Sequence, residues 1–180
     1  MGKRLPKLTT RLISFIEKQR MFFVATAPNE GKINLSPKGM DSFKVIDDAK
    51  VLWLNLTGSG NETAAHLLQS DRMTIMFCAF EGPPMILRLY GKARVYHKRD
   101  AFWDEHISLF PTYKGSRQLI EMEIDMVQTS CGFGVPLMDF KGERDLLGPW
   151  AEEKGADGLL EYMELKNTKS LDGHPTGIFE

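Results

Sequence analysis

Residues 85–97, MILRLYGKARVYH, make one long β-rich run with a glycine near its centre. Twist accumulates along a strand of that length, so it cannot stay flat, and Gly91 marks where a bend or bulge is expected. Small barrels turn their corners with that device. Arg88, Tyr90, Lys92 and Arg94 share one parity, and Leu87, Leu89 and Val95 the other. One face is therefore suited to a core and the other to solvent.

The rest of the chain supplies partners for such a strand. Residues 21–27, MFFVATA, are closed by the turn residues Pro28, Asn29 and Gly31, and residues 32–35 form the return of a hairpin. Ser36-Pro37-Lys38-Gly39 interrupts the pattern, after which 43–46 and 51–56 resume it. Residues 73–80 are apolar almost throughout, as in a strand buried on both faces. In 118–129, Leu119, Glu121, Glu123 and Asp125 fall on one face and Ile120, Met122, Ile124 and Met126 on the other, which reads as a half-exposed strand. Helices are expected at 11–19 behind a Thr9 or Thr10 cap, and at 61–69, 100–109, 146–154 and 158–167. The fold class is α+β: about six antiparallel strands closing into a small β-barrel with helices at its ends. It is expected as a single domain over 1–180, with a C-terminal helical elaboration from about 145.

Charge and cysteine usage narrow the function. Lysine plus arginine number 23 against 24 acidic residues, a net charge of −1, so no overall field draws nucleic acid or an anionic membrane. The two cysteines, Cys78 and Cys131, lie far apart, which fits a reducing, cytoplasmic setting. No apolar run reaches membrane-spanning length. The four histidines lack metal-ligand spacing, and Ser59 lacks a nucleophile-elbow frame. Neither a metal site nor a side-chain catalyst is expected.

Chemistry concentrates around residues 51–65, VLWLNLTGSGNETAA: a buried strand, a turn at Thr57, Gly58, Ser59 and Gly60, and a helix start in which Ser59 and Glu62 have capping-box spacing. Such a unit presents backbone N–H groups to one point, which suits an anion. Two readings stay open, since the same residues also make an ordinary turn and cap. The segment INLSPKG adds a hydroxyl and an ammonium after another strand. Arg88, mid-strand between Leu87 and Leu89, needs an anionic partner, which an internal carboxylate would equally provide.

The ordered motifs FFVATA, INLSPKG, VLWLNLTGSGNETAAHL, LRLYGKARVY, QTSCGFGVPLM and GLLEYMELKNTKSLDG resemble the pyridoxamine 5′-phosphate oxidase-related FMN-binding proteins over nearly the whole chain. The resemblance implies a split β-barrel, a homodimer with FMN at its interface, and a small-molecule substrate or electron donor. By position it assigns Asn34, Ser36 and Lys38 to the flavin, with Lys38 polarising the isoalloxazine edge. It assigns Thr57, Gly58, Ser59, Gly60, Asn61 and Thr63 to the phosphate, Arg88 to the site lining, and Cys131 and Gly132 to a loop that approaches the neighbouring protomer's flavin. Asn61, Glu62 and Thr63 stand where the vitamin B6 oxidases carry an Arg-Lys pair, and LDGHPTGIFE does not match their arginine-containing end. The expected activity is accordingly an FMN-dependent oxidoreductase of unassigned substrate. The alternative is a non-catalytic barrel that carries a flavin, a deazaflavin or haem.

Overall fold

The computed structural model describes residues 2–180. Its strands are β1 (Arg4–Leu5), β2 (Phe22–Thr26), β3 (Asn34–Lys38), β4 (Phe43–Val45), β5 (Lys50–Leu56), β6 (Arg72–Cys78), β7 (Ile86–His97) and β8 (Ser116–Ser130). The helices are α1 (Thr10–Glu17), α2 (Glu62–Leu67), α3 (Ala101–His106), extended by a 3-10 turn at Ile107–Leu109, and α4 (Leu147–Lys166). One antiparallel sheet runs in the order β3-β2-β6-β7-β8-β5-β4, and β1 pairs with the far end of β8. The sheet curls into a split β-barrel. Its two edges, β3 and β4, are not hydrogen-bonded to each other, so the barrel is left with a seam.

The expected bend in β7 is a bulge. Tyr90 faces Met126 whereas Gly91 faces Ile124, so Asp125 is the extra residue on β8. A Cβ on Gly91 would lie 1.9 Å from the Glu123 carbonyl oxygen, a contact that only glycine avoids.

Curling lets the inward rows fill one core. Val24, Trp53, Ile75, Leu87, Leu89, Ile120 and Met122 pack inside, and Leu8, Leu12 and Ile16 from α1 and the segment before it close that end. Thr9 caps α1 by accepting from the Leu12 amide, as its position suggests. A second cluster sits on the outer face, where Leu52, Leu54 and Leu119 are covered by Trp103 and Phe110. Leu119 is thus buried although it shares a face with Glu121 and Glu123.

Two expectations are corrected. Ser36, Pro37 and Lys38 do not interrupt the sheet but continue β3, pairing with Val24, Phe23 and Phe22. Proline is tolerated because β3 is an edge strand with a neighbour on one side only. The Ser59–Glu62 capping box does not form: Asn61 is the N-cap residue of α2 without a side-chain cap bond, and the Glu62 carboxylate accepts instead from the Leu171 amide at 3.0 and 3.1 Å. The split barrel of antiparallel strands that the sequence suggests is present, with eight strands in its sheet. The two expected C-terminal helices are α4 broken at Gly155, whose φ of 65° and ψ of −178° leave the helical region.

Candidate functional site

The turn after β5 is anchored from beneath. The Thr57 amide and hydroxyl both donate to the Gly115 carbonyl, at 2.7 and 2.9 Å. The Asn61 amide group donates to the Asn167 carbonyl at 3.1 Å, and Thr176 adds its hydroxyl to the same oxygen at 2.6 Å. Thr57, Asn61 and Thr63 are all buried. Their side chains therefore look into the protein, and what the turn offers outward is Ser59, Gly60 and the backbone.

Asn167 is the hub of this arrangement. Its Nδ2 donates to the Gly58 carbonyl at 2.9 Å, and its Oδ1 accepts from Arg117 Nη1 at 2.6 Å. Arg117 Nη1 also donates to the Gly60 carbonyl at 3.1 Å. The segment after α4 thus folds back over the same chain and closes this end of the barrel. His66, fully buried on α2, joins through a 3.0 Å bond between Nδ1 and the Thr26 hydroxyl. Burial pushes the pKa values of His66 and His97 down.

Lys38 and Arg117 give the site its electrostatics. On β3, Asn34, Ser36 and Lys38 alternate inward, opposite Thr26, Val24 and Phe22. Asn34 reaches the Thr63 hydroxyl at 3.4 Å. Lys38 Nζ lies over the Trp53 ring, 5.0 Å from its centroid, at the seam. Burial and then the Arg117 charge lower its pKa from 10.5 to about 8. Arg117 is only 4% exposed, and burial lowers its pKa to about 10. Among the described residues neither cation has a carboxylate partner, and Arg117 Nε has no acceptor. Two neighbouring cations, one buried and one half-buried, without a counter-charge favour an anion.

Immediately after Lys38 the chain reverses through Met40 and Asp41, at φ of 63° and 48°. Two consecutive left-handed non-glycine residues are strained. Ser42 holds this turn by donating to the Gly39 carbonyl at 2.6 Å, and the Tyr113 hydroxyl donates to the Met40 carbonyl.

The remaining expected site residues lie elsewhere. Arg88 belongs to the outward row with Pro37, Phe23 and Met76, and donates to the Ser130 hydroxyl at 3.3 Å. It lies nine residues along β7 from His97, roughly 30 Å at the usual strand rise. Cys131 is exposed. Gly132, at φ of 69°, packs so tightly that a Cβ would sit 2.8 Å from the Met85 amide nitrogen. In one chain, then, Asn34 meets the 57–63 turn through Thr63, Lys38 lies four positions further along β3 beside the row that holds Arg88, and Cys131 and Gly132 follow the end of β8, with Gly132 against Met85. Arg117 and Asn167 carry the site and were not singled out by sequence. The only sequence signal for Arg117 is its place at the mouth of an alternating strand.

A cleft of about 480 Å³ opens beside the turn, lined by Asn34, Ser59 and Gly60 together with Lys166, Lys169 and Ser170.

An eight-stranded curled sheet with an open seam, and a latched glycine turn at one end, defines a split-barrel protein. The chain belongs to the pyridoxamine 5′-phosphate oxidase family, whose model, described as pyridoxamine 5′-phosphate oxidase, matches residues 8–131. It is 38% identical over 186 residues to the pyridoxamine 5′-phosphate oxidase family protein ustO of Aspergillus flavus, covering 93% of this chain and 75% of that one. Solved structures agree in fold. A Lactobacillus delbrueckii protein provisionally named pyridoxamine 5′-phosphate oxidase superposes with a TM-score of 0.56 at 18% identity, over 68% of this chain and 94% of that one. HupZ of Group A Streptococcus gives 0.53 at 18% identity, over 66% and 91%. Among the described residues no helix is long and apolar enough to cross a membrane.

Proposed function

We propose that this chain is an FMN-binding flavoprotein with oxidoreductase activity. The observation that carries the reading is the pair of neighbouring cations, half-buried Lys38 on β3 and buried Arg117 at the start of β8, neither with a carboxylate partner among the described residues. Bound FMN supplies hydride or electron transfer, and the protein supplies binding, orientation and electrostatics. Lys38 stands at the seam to favour negative charge on a flavin ring. The backbone of the turn, with Ser59, serves the phosphate. The groups present fit the cofactor, because a ring that gains negative charge on reduction answers the unmatched positive charge of Lys38.

Homodimerisation belongs to the same reading. Arg88, Cys131 and Gly132 lie away from the turn of their own chain, so a second copy is the route by which they reach a flavin. The segment that follows exposes Phe133 and Leu137, 82% and 78% accessible, as suits a surface that a partner covers.

The test is the colour of the protein. Purified chain, or chain incubated with excess FMN and desalted, is expected to show a bound flavin spectrum that bleaches with dithionite. A preparation that stays colourless after reconstitution overturns the proposal. Bleaching by NADH or NADPH alone identifies an enzyme with a nicotinamide donor.

A further inference from the structure

We propose that segment 166–170 is the second half of the phosphate cradle, with Asn167 as a positioning residue and Lys166 and Lys169 supplying the charge that the turn lacks. The proposal rests on the flavin reading above.

The geometry of the turn leads to it. Asn167 Nδ2 holds the Gly58 carbonyl and Arg117, itself bonded to Asn167, holds the Gly60 carbonyl. In a trans peptide the C=O and the next N–H point in opposite directions. Drawing those two carbonyls toward Asn167 therefore aims the amides of Ser59 and Asn61 the other way. Among the described residues neither amide has an acceptor. Asn167 is not placed to touch a phosphate; it sets the direction of the groups that do.

The charge comes from the same segment. Lys166 and Lys169 line the same cleft as Ser59 and Gly60. Both are exposed, and among the described residues neither forms an ion pair. The other charged groups on that cleft are occupied: Lys32 pairs with Asp172 at 2.5 Å, and Glu62 accepts from the Leu171 amide. The turn itself contains no basic residue, so the phosphate's charge is met from the segment beyond α4.

Riboflavin, which has the ring of FMN without its phosphate, separates this role from general support of the fold. Dissociation constants for FMN and riboflavin are measured on the full chain by quenching of flavin fluorescence. Wild type is expected to prefer FMN. The Asn167→Ala variant is expected to weaken FMN roughly tenfold or more while leaving riboflavin unchanged. The double variant Lys166→Gln/Lys169→Gln, at exposed positions where folding is not at risk, is expected to do the same and to flatten the salt dependence of FMN binding. Wild type that binds neither ligand overturns the flavin reading and this inference together. Wild type that binds both equally, a Lys166→Gln/Lys169→Gln variant that keeps the FMN preference, or an Asn167→Ala variant that weakens both ligands alike overturns this inference alone.

Discussion

Lys38 makes the flavin-free protein unusual in its response to pH. Its pKa in the fold is about 8 against an ordinary 10.5, chiefly because it is buried and secondly because Arg117 is near. The fold therefore disfavours the charged lysine. Below pH 8 the ammonium is present in both folded and unfolded chains, and the fold bears the whole penalty. Between about 8 and 10.5 the folded lysine loses its proton while the unfolded one keeps it, so stability rises with pH. The interval converts to roughly 3 kcal/mol at about 1.4 kcal/mol per pH unit. Water at the seam screens part of this, leaving roughly 1–3 kcal/mol. Lys38→Met, which keeps the stem over Trp53 and removes the charge, is expected to stabilise the flavin-free protein by that amount at pH 7 and to lose the advantage by pH 10.5. Urea midpoints for both proteins across that range give the difference curve, in which the other lysines and tyrosines cancel. A difference that does not change with pH, or a variant less stable than wild type at pH 7, refutes the argument.

The other predictions follow from packing and hydrogen bonding. Gly91→Ala places a methyl where the Glu123 carbonyl stands, and is expected to cost roughly 3 kcal/mol or more in urea unfolding, or to prevent soluble accumulation. Trp53→Ala, at a residue 1% exposed and packed edge-on against Phe22, is expected to cost about 3–5 kcal/mol by the same measurement. Because the folded pKa of His66 lies below its ordinary 6.5, stability is full above pH 6.5 and falls as the pH drops below it. His66→Leu is expected to reduce that slope in urea midpoints taken between pH 7 and pH 5.

Much of the barrel is legible in the sequence because its signals are local. The Thr9 cap, the Gly91 bulge, the alternation through β8 and the break in α4 each depend on residues within a few positions of one another. The site is less legible because long-range contacts assign its groups. Thr57 and Asn61 look like ligands of an anion, yet Gly115 and Asn167 draw their side chains inward. Glu62 has capping-box spacing, but Leu171 offers it a different amide. Arg117 is given no role by its neighbours in sequence, because the partner that fixes it, Asn167, lies fifty positions later. Pro37 hides the continuity of β3, because sequence alone does not show that the strand lies at an edge.

The hydrogen bond from Asn167 to Gly58 spans 109 positions, and this has a consequence for synthesis. A ribosome completes every strand through Ser130 before it makes the residue that fixes the turn. The strands that hold the core are complete while the turn after β5 still lacks the partner that fixes it. The turn at Gly58–Gly60 is therefore among the last features of this protein to be fixed, set only once the segment beyond α4 has been made.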